Sequence, residues 1–298
     1  MTNHIPNGAV VVGVDGSDES RTAIDKAAEL AKLEHRPLHL LHAERVPAPY
    51  PPPVQRQFGN LPSLIREASR YTANEALQYA TSQFPDLPVT VAVSEEDARE
   101  ALQRASHQAS VVVVGSRGLG GIRSLLLGSV SLWVSQHAAC PTLVVRPSPA
   151  GEEAPIIVGT DDTEVSSDAL EFAFAQASER RSPLVVVHCF DDNYQGGYGL
   201  TGVPDEDLEG LPEERLALSE SIAGLREKYV DVDVTFELGR GRAASYLAHA
   251  SERAQMLVVG SHQRSAAAAF FSGTVSRPVV EHAKCTVAVV PAQAPVEG

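Results

Sequence analysis

Short, largely apolar runs of β-branched and aliphatic residues recur along the chain, and between them apolar residues return every three or four positions. The runs near 9–14, 38–43, 88–93, 110–115 and 141–146 have the composition of strands buried on both faces of a parallel sheet. The stretch 20–33 sets Ile24, Ala27, Ala28 and Ala31 at helical spacing, with Asp18 as the expected N-cap and Pro37 beyond the end. Helices are also predicted over 96–108 and 129–138, and a second set of strands near 155–160, 184–189, 232–237, 255–260 and 286–290. Strands and helices alternating in this way predict an α/β fold, a parallel sheet covered by helices on both faces.

The second set of elements repeats the first. Val11-Val12-Gly13-Val14-Asp15-Gly16-Ser17 returns as Ile157-Val158-Gly159-Thr160-Asp161-Asp162-Thr163, and Pro37-Leu38-His39-Leu40-Leu41-His42-Ala43 as Pro183-Leu184-Val185-Val186-Val187-His188-Cys189, both at a shift of 146. Such a period is too long for a solenoid and suits two domains. A tandem duplication is therefore expected, with domains over 1–147 and 148–298 joined by a Pro-, Ser- and Gly-containing linker at 147–155. Two long irregular excursions, 44–62 with five prolines between 47 and 53 and 190–212 with its acidic run at 205–209, follow the second strand of each repeat. Connections of that length are uncommon; lids, partner-docking loops and plain surface insertions all remain open.

The chemistry is carried by Gly115-Ser116-Arg117-Gly118, which follows the apolar run Val111-Val112-Val113-Val114 and precedes, after nine residues, Gly128-Ser129-Val130-Ser131. Two glycines three residues apart let the backbone turn sharply and approach a ligand without a Cβ in the way. At the start of the next helix, unpaired N–H groups, the positive end of the helix dipole and the hydroxyls of Ser129 and Ser131 can converge on an anion. Gly260-Ser261-His262-Gln263 and, nine residues on, Gly273-Thr274-Val275-Ser276 repeat the pattern at a shift of 145. If strand four returns to lie beside strand one, the winding switches between them, and the ligand of an open parallel sheet sits at that switch. Asp15 and Gly115 then meet, with Ala43 offering backbone groups to the edge of a base.

Taken together, Gly115-x-x-Gly118, nine residues and Gly128-Ser129, preceded by Val12-Gly13-Val14-Asp15-Gly16-Ser17 and followed by His137-Ala138-Ala139-Cys140-Pro141, closely resemble the universal stress protein family, in two copies covering nearly the whole chain. The resemblance implies two tandem Rossmann-like (flavodoxin-like), doubly wound domains, each a five-stranded parallel sheet of order 3-2-1-4-5. It implies ATP at the switch point, with or without magnesium, and domains paired through their fifth strands, within one chain or in a homo-oligomer. It also implies a cytoplasmic role in stress response, dormancy or growth control through an unknown protein partner, with at most slow hydrolysis. Residue by residue, the base and ribose end of the first site falls on Gly13, Asp15 and the backbone of Ala43. The phosphate end falls on Gly115, Ser116, Arg117, Gly118, Gly128, Ser129, Val130 and Ser131. In the second repeat the candidates are Gly159, Asp161, Cys189, Gly260, Gln263, Gly273, Thr274, Val275 and Ser276. There Gln263 replaces the second glycine of the pair and Asp162 replaces Gly16, so a side chain and a negative charge enter phosphate space and leave the second site open.

Charge sharpens the contrast between the repeats. Residues 1–148 hold 13 Lys and Arg against 14 Asp and Glu, and the remainder 11 against 24, so nearly all of the net −14 lies in the second repeat. That balance argues against nucleic acid or an anionic membrane as partner. No signal-like segment precedes Val10, and no apolar run approaches the roughly 20 residues needed to cross a bilayer. The three cysteines, Cys140, Cys189 and Cys285, read as buried structural thiols in a reducing compartment. His42 and His188, and His137 and His282, recur at equivalent positions and are expected to serve packing and helix ends; Gly239-Arg240-Gly241-Arg242 is expected to be a loop into a helix. With no Gly-Lys-Ser or Gly-Lys-Thr loop and no evident base, an ATP-binding regulator comes first. A weak ATP hydrolase using the same pocket and a nucleotide-independent interaction protein are the alternatives.

Overall fold

The computed structural model describes residues 5–44, 61–118, 127–161, 164–190, 212–261 and 275–292. The chain forms two compact units, Met1–Val145 and Arg146–Gly298. In the first, β1 (Val10–Gly13), α1 (Asp18–Leu33), β2 (Leu38–Ala43), α2 (Leu61–Gln83), β3 (Val89–Ser94), α3 (Ala98–Ala105), β4 (Val111–Gly115), α4 (Ser129–His137) and β5 (Thr142–Val145) follow in order. All strand pairs are parallel, in the order β3-β2-β1-β4-β5. This is the expected 3-2-1-4-5 winding, and it sets Val10 between Leu38 and Val111 in register.

The core explains why the apolar runs do not alternate. Val10, Val11 and Val12 are all fully buried, because helices cover both faces of the central strand. Helix α1 contributes Ala23, Ile24, Ala27, Ala28 and Ala31, and its small residues let the backbone lie close to the sheet. The helix starts at Asp18, not Ser20. Its N-cap is Ser17, whose hydroxyl oxygen accepts from Ser20 N at 3.1 Å, and Asp18 sits in the first turn, where a carboxylate complements the helix dipole. Helix α3 is shorter than expected at both ends; Asp97 caps its start, accepting from Arg99 N.

The second unit comprises, among the described residues, β6 (Ile156–Thr160), α5 (Glu164–Arg180), β7 (Leu184–Phe190), α6 (Pro212–Ser221), α7 (Ala223–Lys228), β8 (Val234–Arg240), α8 (Ala243–Ala250), β9 (Met256–Ser261), α9 (Ser276–His282) and β10 (Thr286–Pro291), with a 3-10 turn at Ser251–Arg253. Its strands lie in the equivalent order β8-β7-β6-β9-β10, all parallel. One expectation is corrected here. Gly239 and Arg240 belong to β8, paired with Cys189 and Phe190, and the chain leaves the sheet only at Gly241, whose φ of +95° a side chain would strain. The expected excursions lie, but for their ends, outside the described residues; Leu61 opens α2 and Pro212 opens α6, a position that suits proline's fixed φ.

The duplication reaches single dihedral angles. His35 and Arg181, one period apart, are the described non-glycine residues with positive φ, at 52° and 53°. Each ends its helix with the same pair of bonds: His35 N to Lys32 O and Arg36 N to Ala31 O, and Arg181 N to Ser178 O and Ser182 N to Ala177 O. No helix among the described residues is long and apolar enough to cross a membrane.

Candidate functional site

At the carboxyl ends of β1 and β4 the first unit opens a cavity of about 320 Å³. One wall comes from the segment after β1. Asp15 Oδ1 accepts hydrogen bonds from Ser17 N (3.0 Å) and Ser17 Oγ (2.6 Å), while Asp15 N donates to Ser20 Oγ at 3.3 Å. The carboxylate is thereby fixed in a tight turn through Gly16, whose φ is +87°. Its other oxygen lies over Gly118: a Cβ built on that glycine would stand 2.2 Å from Asp15 Oδ2. The glycine at 118 is thus required by a specific neighbour, not only by the turn.

The opposite wall is the β4 loop and the start of α4. Gly128 N donates to Ser116 O at 2.8 Å, and Ser131 Oγ donates to Gly115 O at 2.6 Å, so helix and loop are tied together twice. Gly128 is the N-cap of α4 and supplies no side chain to the first-turn N–H groups, which have no carbonyl one turn earlier. Ser129, Val130 and Ser131 of that turn line the cavity. Arg117 and Asp15 are the charged residues among those lining it. Arg117 Nε lies 3.5 Å from Glu19 Oε1 in the first turn of α1.

The remaining end is apolar. Leu41 and Ala43, two apart on β2 and so on one face, meet Ala98 and Leu102 of α3. Leu102 Cδ1 would stand 3.1 Å from a Cβ on Gly13, so that glycine lets α3 close over β1. Behind β1, His42 Nδ1 lies 2.7 Å from Val14 O and holds the strand's exit. An apolar slot thus continues into a polar mouth carrying backbone donors, one guanidinium and one carboxylate.

The structure brings together Gly13, Asp15, Ala43, Gly115, Arg117, Gly118, Gly128, Ser129, Val130 and Ser131 as the sequence suggested. Ser116 does not line the cavity; it is buried, and its backbone serves the loop through Ser116 N to Val145 O and the bond from Gly128 N. Ser131 does line it, but its hydroxyl proton goes to Gly115 O and is not available to an anion. The sequence reading missed Leu41, Ala98 and Leu102. The 3–4 spacing of Ala98, Ala101, Leu102 and Ala105 carried that signal, since it predicts which face of α3 packs inward.

In the second unit Gly159 repeats the role of Gly13, with Leu247 Cδ1 2.7 Å from the place of its Cβ. Where the first unit has Ala43, the second has Cys189, whose Sγ meets the Tyr246 ring over Gly239: both stand within 3 Å of the position a Cβ on Gly239 would take. The Tyr246 hydroxyl donates to Glu237, which also accepts from Arg253. Burial, then the Glu237 charge, pushes the Cys189 thiol up to about 12. Asp161 is exposed, Gly260 lies in β9, and Val275 precedes α9, whose first residue is Ser276. Gln263, Gly273 and Thr274, with Asp162, lie outside the described residues.

Cys140 and Cys285 are buried away from the cavity, and desolvation pushes each thiol up to about 12. His137 and His282 place Nδ1 against the carbonyls of Trp133 and Pro278 four residues earlier, at 2.8 and 2.9 Å. Both therefore serve helix ends. The His137 ring also stacks on Trp133 with centroids 3.7 Å apart, and Arg99 lies 5.7 Å from the indole centroid.

The family model of the universal stress protein family matches the chain twice, over residues 7–146 and 154–291. A universal stress protein of Mycolicibacterium smegmatis is 32% identical over 291 residues, covering 94% of this chain and 96% of its own length. One of Mycobacterium tuberculosis is 33% identical over 299 residues, with the same coverage of 94% and 96%. Among solved structures, a universal stress protein from Archaeoglobus fulgidus has a TM-score of 0.67 over 96% of this chain and 97% of that one, at 17% identity, a likeness of fold alone.

Proposed function

This chain belongs to the universal stress protein family, and from that premise we propose that its first repeat binds ATP and acts as a nucleotide-dependent regulator. The observation that supports this most is the cavity's polarity. Leu41, Ala43, Ala98 and Leu102 make a slot suited to a flat apolar base, and the Gly115–Gly118 loop, the first turn of α4 and Arg117 make a mouth suited to phosphates. Asp15, an acceptor held in place by Ser17, lies between the two and fits ribose hydroxyls. As the one carboxylate among the described lining residues, it leaves magnesium to arrive on the phosphates.

Binding, not turnover, is what this residue set favours. An efficient hydrolase needs a group to orient water as well as charge for the transition state. One Asp15 oxygen is already engaged twice by Ser17, and Arg117 is engaged by Glu19. A regulator requires only that ATP have different affinities for two arrangements of the protein. The second repeat is read as a diverged domain, because Cys189 and Tyr246 close together where the first repeat keeps Ala43 and Ala101.

Calorimetric titration of ATP with magnesium into protein stripped of nucleotide tests the reading. One ATP per chain, lost on Gly118→Ala, is the expected result. Two per chain would restore the second repeat as a site. No binding by correctly folded protein would leave a nucleotide-independent interaction protein as the better account.

A further inference from the structure

The cavity's cation is already spoken for. Arg117 faces Glu19, and their side chains are 48% and 38% exposed. Their meeting is imposed by the backbone: a Cβ on Gly115 would stand 3.0 Å from the Glu19 carbonyl oxygen, so the β4 loop and the first turn of α1 are in close contact. Glu19 is not among the residues that line the cavity.

The duplication supplies an internal comparison. One period on, Arg117 is replaced by His262 and Glu19 by Val165. The carboxylate stands in the repeat that has the guanidinium and is missing from the repeat that lacks it. A residue serving only the helix dipole of α1 would have no reason to follow the loop residue in this way.

We infer that Glu19 is a specificity-determining residue of the first site: it holds Arg117 in the place of a ligand's anion, so a ligand gains the guanidinium only by displacing a carboxylate. The inference rests on reading the cavity as a site for a nucleoside phosphate. A phosphate chain carries more charge than a carboxylate and presents several oxygens to the planar guanidinium, so it wins the exchange. A neutral nucleoside gains nothing from Arg117. Glu19 thus lowers affinity for every phosphorylated ligand while biasing the site toward those with the most negative charge.

The test is calorimetric titration of ATP into the full chain, comparing wild type, Glu19→Gln, Arg117→Gln and the double variant at low and moderate salt. Glu19→Gln is expected to bind ATP about three- to fivefold more tightly, the size expected when an exposed ion pair no longer has to be broken. The gain is expected to shrink as salt rises, and to disappear in the Arg117→Gln background. Unchanged or weaker binding by Glu19→Gln would overturn the inference; weaker binding would mean that Glu19 aims Arg117 at the ligand. A gain that persists without Arg117 would overturn it too, by showing a general charge effect. If none of the four proteins binds ATP, the nucleotide reading fails and the inference falls with it, an outcome distinct from all the others.

Discussion

Asp15 shows how little chemistry a strand end needs to shape a candidate site. Its Oδ1 is fixed by two donors from Ser17, and its Oδ2 lies over Gly118, which has no side chain to push it away. Gly118→Ala therefore has to displace Asp15 or deform the loop. Losing even one well-placed hydrogen bond to a charged group costs about 1.5–3 kcal/mol, so ATP affinity is expected to fall by at least about tenfold while the fold survives, read by calorimetry beside a circular dichroism melt. The thiols make a second residue-scale prediction. Cys140 and Cys285 are raised from 9.0 to about 12 by desolvation, so below about pH 9 folded and unfolded chains both keep the proton and the full stability is present. From pH 9 toward 12 the unfolded chain loses protons that the folded chain retains, and stability falls. Urea midpoints measured at several values between pH 8 and 11 should decline, and Cys285→Ala should flatten that slope whatever it does to the midpoint itself.

At the scale of elements, the paired helix ends give the cleanest expectation. His35 and Arg181 occupy the left-handed region where α1 and α5 terminate, a conformation that costs an ordinary residue about 1 kcal/mol or more and glycine nothing. His35→Gly and Arg181→Gly are each expected to stabilise their unit by about 0.5–1 kcal/mol, net of glycine's freer unfolded chain, as read from denaturant unfolding. Neither was visible in the sequence, since only a dihedral angle marks them. What was legible came from runs and spacings, for the five apolar strands of each repeat and the loop and helix start that line the cavity, and from the family resemblance, for the winding order. What was not legible turned on single side-chain contacts. Ser17 took the cap expected of Asp18 because its hydroxyl reaches Ser20 N, and Ser131 spent its proton on Gly115 O. Gly239 and Arg240 stayed in β8 because β7 runs on to Phe190 and keeps them paired, which no local glycine pattern announces.

At the scale of the whole chain, one architecture has been written twice with different residues at the strand ends. Both units have the same strand order, the same helix-end geometry and a leucine over the first-strand glycine. Only the first keeps alanine at the base end and arginine paired with a carboxylate in the phosphate loop. The acidic excess falls in the other. The chain also contains a single tryptophan, and it is not placed at random: Trp133 lies in α4, four residues past Ser129, stacked on His137. The helix whose first turn lines the cavity therefore carries the molecule's entire indole fluorescence. Ligand that tightens the start of α4 should alter that emission, with the second repeat contributing no background, and Gly118→Ala should move the response to at least about tenfold higher ATP. On the nucleotide reading of the cavity, the protein thus carries its own optical gauge of occupancy, readable in the unlabelled chain.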